Sequence, residues 1–136
     1  MEVKKMHEKQ IENLLNLSAE ERYDFFIRHC AGFEEVWGLS VEDDNWIVFR
    51  DKDGDDVFPV WPHTDLAEVC CFDEHKDLNA KPRRIQLDEF LQECIPEMVA
   101  DKIWFGIFFN HKREGLIIDG NRLKKALEEE VRTVWE

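Results

Sequence analysis

The spacing of hydrophobic positions changes along the chain, and each change predicts an element. A first helix is indicated by apolar residues that share one helical face: Val3, Met6, Ile11, Leu14 and Leu15. Ser18 and Glu21 have capping-box spacing, which predicts that a second helix begins there. Its apolar stripe contains Tyr23, Phe26, Ile27 and Cys30. Gly32 is expected to end this second helix.

Short stretches of β-branched and aromatic residues follow, separated by acidic turns. These stretches are Val36–Val41, Asn45–Arg50 and Asp56–Trp61. The Asp53–Gly54 pair is typical of a hairpin turn, so the pattern predicts a three-stranded antiparallel meander. Because Pro59 has no N–H to give to a ladder, we expect its strand to lie at an edge or Pro59 to lie at a bulge.

The strand after Gly54 leads into a sharp corner. Pro62 ends that strand, and Thr64 is expected to be the N-cap of a short helix. Further along, Arg84–Leu87 reads as a short strand and Asp88 as the cap of the next helix. Pro96 is expected to kink or restart that helix.

The last third predicts a hairpin and a helix. Ile103–Phe109 is a buried strand whose partner is Gly115–Asp119, and Asp119 caps a C-terminal helix. The stripe of that helix is Leu123, Ala126, Leu127, Val131 and Val134. We therefore predict an α+β fold in which a three-stranded meander and a C-terminal hairpin form an antiparallel sheet. That sheet packs against the N-terminal helical pair and the C-terminal helix.

Length and composition fit one domain. The chain has 136 residues, 43% hydrophobic and 12% aromatic, enough to bury a core without disulfides. We expect a single domain over 1–136, with the helical pair in 1–33 and the sheet with its helices in 34–136.

Charge restricts the class of partner. The formal net charge is −13, and the segment from Glu34 to Asp56 carries nine acidic residues against Arg50 and Lys52. Such a surface repels phosphate groups, so nucleic acids and anionic membranes are excluded as expected partners. A basic protein or a cation is the expected partner, while solubility and acidic turns alone also account for the charge.

The cysteines and the N-terminus predict a compartment. The four cysteines, Cys30, Cys70, Cys71 and Cys94, include no C-x-x-C pair, and the first residues contain no apolar segment typical of a secretory signal. The longest apolar run, Ile103–Phe109, is much shorter than a membrane span. We expect a cytoplasmic protein with free thiols.

The candidate motifs for metal binding or catalysis do not have the residue spacing that such sites require. With Gly54 at position six of a calcium loop, position twelve is Val60 instead of glutamate. Cys70 and Cys71 diverge on a helix, which disfavours a zinc site with His63 and His75. His29 and Cys30 diverge in the same way. We therefore assign no catalytic residue, no metal ligand and no cofactor, and expect that the protein is not an enzyme.

Aromatic residues supply the candidate binding site. Tryptophans fall on all three meander strands, and the corner follows the last of them. Because tryptophan is enriched in interaction hot spots, the candidate binding residues are Trp37, Trp46, Trp61, Pro62 and His63. The same corner is also explained by geometry alone: Pro62 ends the strand and the indole of Trp61 covers the joint.

Several of these segments resemble one family. RYDFFI (22–27), VWGL (36–39), the Asp53–Gly54 turn, PVWPH (59–63) with Ala67, and IQLDEFL (85–91) with Asp101 are similar to the bacterial domain of unknown function 2750. The resemblance extends from about Ile11 to about Leu127. It implies a small soluble bacterial α+β domain and brings no activity, ligand or catalytic residue.

Three hypotheses for function remain. The first is a non-enzymatic interaction module that binds a basic protein, one version being an immunity-like or antitoxin-like protein. The second is a small enzyme or ligand-binding domain with a pocket beside Trp61 and His63. The third is a structural subunit that forms a homodimer through a tryptophan patch.

Overall fold

Two helices open the chain in the computed structural model, which describes residues 6–41, 45–70 and 79–135. Helix α1 (Glu8–Leu15) has His7 as its N-cap, so it begins later than the apolar pattern predicts, and Val3 lies outside the described residues. Helix α2 (Ala19–Phe33) begins with the predicted capping box of Ser18 and Glu21. Gly32 lies inside α2, and the helix instead ends at Glu34, which adopts a left-handed conformation with φ 56°.

The strands form two sheets. Sheet A has the order β2–β1–β5, from β2 (Asn45–Trp46), β1 (Glu35–Val41) and β5 (Lys81–Gln86). Sheet B has the order β3–β4–β6–β7, from β3 (Phe49–Arg50), β4 (Asp56–Val60), β6 (Trp104–Ile107) and β7 (Leu116–Ile118). The fold is α+β, as predicted, and β6 and β7 form the predicted antiparallel hairpin.

The predicted meander is divided between the two sheets. Its middle stretch is interrupted at Ile47 and Val48, so β2 pairs with β1 while β3 pairs with β4. Sheet B is not wholly antiparallel, because β4 pairs with β6 in parallel. Strand β4 is therefore an interior strand, which corrects the expectation of an edge strand at Pro59. Strand β3 pairs only with Asp56 and Val57 of β4, so Pro59 does not need an N–H group to pair with β3.

Three more helices lie in the described part of the chain. Helix α3 (Thr64–Val69) has His63, not Thr64, as its N-cap. Helix α4 begins at Leu87 after an N-cap Gln86, so Asp88 is not its cap. It runs through α-helix (Leu87–Glu89), π-helix (Phe90–Cys94) and α-helix again (Ile95–Ala100). Asp119 caps α5 (Gly120–Trp135) as predicted, by accepting from the N–H of Asn121 at 3.0 Å.

Pro96 explains the π segment in α4. A proline ring collides with the carbonyl four residues earlier and donates no hydrogen bond, so an ordinary α-helix would be strained there. The helix instead forms a wider π-helical turn that contains one extra residue. In this turn the N–H of Ile95 donates to the carbonyl of Phe90, five residues back. The helix continues through Pro96 without breaking.

One hydrophobic core lies between the helices and the inner face of sheet B. That face carries Phe58, Val60, Phe105 and Ile107, all fully buried. Phe90 of α4 meets Phe105 edge to face, with ring centroids 5.6 Å apart, and Leu123 and Leu127 of α5 complete the packing. No helix in the described part of the chain is long and apolar enough to cross a membrane.

Candidate interaction surfaces

The corner after β4 is a buried joint between the two sheets. Trp61 is 1% exposed and exchanges backbone hydrogen bonds with Trp37, at 2.7 and 2.9 Å. Its indole Nε1 donates to the carbonyl of Phe109 at 3.0 Å. Pro62 is also buried. As the sequence suggested, geometry accounts for the strand–proline–helix corner, and Trp61 has no surface left for a partner.

His63 has a structural task in the same corner. It is 7% exposed, and its Nδ1 accepts from the N–H of Asp65 at 3.0 Å, which caps α3. The Asp65 carboxylate accepts in turn from the N–H of Met6 at 2.7 Å, which ties the start of the described chain to the corner. The His63 ring meets that of His29 edge-on, with centroids 6.3 Å apart.

The other two candidate tryptophans are at least partly covered. Trp37 is 8% exposed, and its Nε1 has no hydrogen-bond partner among the described residues. Trp46 is half-buried between Phe58, at a centroid distance of 5.5 Å, and the guanidinium of Arg83, which lies 5.2 Å above its ring. A binding role for these five predicted residues stays a prediction; of the three tryptophans, Trp37 and Trp61 expose little surface and Trp46 exposes more.

The three thiols among the described residues are held in their protonated form. Burial raises the pKa of Cys70 and Cys94 to about 12 and raises that of Cys30 as well. A protonated thiol is a poor nucleophile and a poor metal ligand. The described residues contain no group of three or more His, Cys, Asp or Glu able to hold a metal ion. Cys71 and His75 lie outside the described residues.

An exposed aromatic ring lies at the end of α2 instead. Phe33 is 67% exposed and borders a cleft of about 320 Å³. We call this the Phe33 cleft; its lining is Phe33, Glu34, Arg84, Gln86, Leu87, Asp88, Leu91 and Val131. The N–H of Leu87 donates to the carbonyl of Glu34 at 2.9 Å, which fixes the start of α4 against the end of α2.

The electrostatics of the Phe33 cleft favour a cation. Glu34 and Asp88 are exposed carboxylates, and the guanidinium of Arg84 is paired with Glu35 at 3.5 Å. The cleft lies where the C-terminal end of α2, whose last turn has no basic residue, meets the N-terminal end of α4. The two helix dipoles oppose each other there, so the carboxylates of Glu34 and Asp88 decide the sign of the charge.

Helix α4 continues this acidic surface. Between 87 and 101 the chain has five acidic residues and no lysine or arginine, and all five are exposed: Asp88, Glu89, Glu93, Glu97 and Asp101. The inner residues of the helix, Phe90, Leu91 and Ile95, are buried in the core. An amphipathic helix with a purely acidic outer side thus begins at the cleft.

A comparison with protein families identifies the chain. The model of a family described as "Protein of unknown function (DUF2750)" matches residues 23–127. The chain belongs to this family. No curated protein and no solved structure matches it.

The DUF2750 match covers most of these features. It includes the corner, helix α4 and all of the Phe33 cleft except Val131. Sequence reasoning missed Phe33, because nothing in the pattern distinguishes an exposed phenylalanine at a helix end from a buried one. It predicted the helix that became α4 but missed its acidic side as a candidate surface, although a signal was present: five acidic residues without a basic one over a predicted helix.

Proposed function

We propose that the protein is a non-enzymatic module that binds a basic protein through the Phe33 cleft and the acidic side of α4. The observation that carries this proposal is the 67% exposure of Phe33 beside the exposed carboxylates of Glu34 and Asp88. Neutralisation of a basic toxin is one form that this function takes in our proposal.

The chemistry of the cleft supports such a partner. Aromatic side chains at interfaces supply much of the binding energy when they enter a desolvated pocket, and the surrounding charges select the partner. Here the exposed ring of Phe33 and the half-buried Val131 offer apolar surface, while Glu34 and Asp88 favour lysine or arginine. The net charge of −13 attracts a basic partner over a longer distance.

The test is affinity capture from the native host at low and at high salt. We expect the wild-type chain to retain a basic protein at low salt and to release it as salt rises, because exposed charges are screened. Phe33→Ala should weaken the purified complex by about tenfold to hundredfold. Asp88→Asn with Glu89→Gln should mainly slow association.

The matched control is Val69→Ser on α3, where Val69 is 47% exposed but lies outside the cleft. This variant should bind like the wild type. Equal affinity of the wild type and Phe33→Ala for a captured basic protein would contradict the proposal, and so would the recovery of no basic protein at low salt.

A further inference from the structure

The outer face of sheet B carries a second apolar surface. Strand register places Phe49, Val57 and Trp104 side by side across β3, β4 and β6. A second row across β4, β6 and β7 consists of Pro59, Gly106 and Ile117. We call these six residues the Trp104 face. Trp104 and Ile117 are each 41% exposed and Phe49 is half-buried, whereas Val57, Pro59 and Gly106 are already covered within the chain.

The ring of Phe109 packs on part of this face. A Cβ atom at Gly115 would lie 2.2 Å from Cδ1 of Phe109, and one at Gly106 would lie 3.0 Å from its Cε1. The two glycines therefore make room for the ring. Phe49 packs on it at a centroid distance of 5.5 Å. Phe49, Phe109 and Ile117 line a mostly apolar cavity of about 640 Å³.

The charges around this cavity cancel. Its rim has three cations and three carboxylates: Arg50, Lys52, Arg113, Asp51, Asp53 and Glu114. Asp55 and Asp56 of the same turn are outside the lining, and Asp56 pairs with Arg50 at 3.4 Å. A neutral rim on a chain of net charge −13 is a local exception to its acidic surface.

The balance of charges at this rim indicates which kind of partner the surface can bind. Two copies of an acidic chain repel each other unless they meet where charges cancel. A two-fold interface brings a patch against its own copy, so a patch that carries both signs is complementary to itself. A basic protein would meet as many cations as carboxylates at this rim, so it would gain no net attraction there. We propose that the Trp104 face is a self-association surface and that a second copy of this chain covers it.

The test is the mass of the pure chain in solution, measured by sedimentation equilibrium between about 1 and about 200 µM. We expect the wild type to shift from 16.3 kDa toward twice that mass as concentration rises. Ile117→Asp and Trp104→Ala should each weaken the dimer at least about tenfold. Both side chains are well exposed, and circular dichroism verifies that the variants fold. Phe33→Asp, an exposed aromatic residue outside this face, should dimerise like the wild type.

Two outcomes would overturn the proposal directly: a monomer throughout this range, or a dimer that both variants retain. A monomer that binds an apolar fluorescent dye, and loses it in Ile117→Asp, would assign the cavity to a small apolar ligand instead. Because no basic protein is present in these measurements, their result is independent of the function proposed for the Phe33 cleft.

Discussion

Arg22 is a buried cation that binds backbone carbonyls. It is 2% exposed, and its guanidinium donates to the carbonyls of Phe108 at 2.9 Å and Glu114 at 2.7 Å, and to that of Leu17. Phe108 has a left-handed backbone with φ 50°, which is unusual for a bulky residue. Burial lowers the pKa of Arg22. Arg22 thus holds α2 against a strained β6–β7 connection.

We predict that Arg22→Met destabilises the protein by about 2–4 kcal/mol, because buried carbonyls lose their donor. Arg22→Lys should recover only part of this, since an ammonium group cannot reproduce the planar fork of donors. Arg28→Met on the exposed side of the same helix should change stability by less than about 0.5 kcal/mol. Urea denaturation measures all three, and equal midpoints for Arg22→Met and Arg28→Met would contradict the assigned role.

Local signals at single residues were predictable in part where donor and acceptor are close in sequence; the cap that His63 provides to the N–H of Asp65 is equally local but was assigned to Thr64. Ser18 with Glu21 and Asp119 with Asn121 are pairs two or three residues apart, and the structure confirms them. Arg22 was not predictable, because two of its acceptors lie 86 and 92 residues away. A charged residue on a helix is expected to face the solvent unless such distant partners are known.

At the scale of elements, the corner after β4 joins sheet A, sheet B and α3. Trp61→Ala should cost about 3–5 kcal/mol, because it leaves a cavity and removes the donor to Phe109. Trp61→Phe keeps the apolar ring and should cost about 1–3 kcal/mol through the unpaired carbonyl. Pro62→Ala should cost only about 0.5–1 kcal/mol through chain entropy. Denaturation midpoints rank the three; negligible losses for both Trp61 variants would mean that the corner is not a packing joint.

Hydrophobic periodicity predicted which segments become strands better than it predicted their partners. The stretches 36–41, 45–50 and 56–61 each contain strand residues, and the hairpin of β6 and β7 is local enough to infer. The parallel pairing of β4 with β6 joins positions 47 residues apart, such as Val57 and Trp104, and no turn signal encodes such a contact. The split of the middle stretch likewise depends on which sheet each half joins.

At the scale of the whole molecule, the sequence predicted how much charge the surface carries but not where each sign lies. The acidic stretch 34–56 indicated that the meander would be the acidic surface. In the structure, Arg113 and Lys52 lie together at the rim of the cavity beside Phe49, and the outer side of α4 is the surface that carries only acidic charges. The sequence likewise did not show which tryptophans are exposed: Trp61 is buried between the two sheets, and Trp104 lies at the surface. Exposure is a property of the assembled sheets, so residue type alone could not locate the candidate surfaces.

The stability of the whole chain should also respond to pH through His29. This ring stacks between Phe25 and Phe33, at centroid distances of 5.3 and 4.4 Å. Burial, with a smaller contribution from His63, lowers the pKa of His29 from 6.5 to about 4. Between these values the unfolded chain binds a proton that the folded chain does not, so this contribution to stability falls as pH falls below 6.5.

Acidification also neutralises carboxylates and relieves the repulsion within a chain of net charge −13, so the overall pH profile combines several groups. The contribution of His29 is isolated by comparison with His29→Phe, which keeps a ring in the stack but does not titrate. We expect the free energy of unfolding of the wild type to fall relative to this variant between about pH 7 and about pH 5. Urea denaturation at both pH values measures the difference. Parallel pH profiles for the two proteins would show that His29 titrates normally in the folded state, and that the Phe25–His29–Phe33 stack does not exclude the charged imidazole.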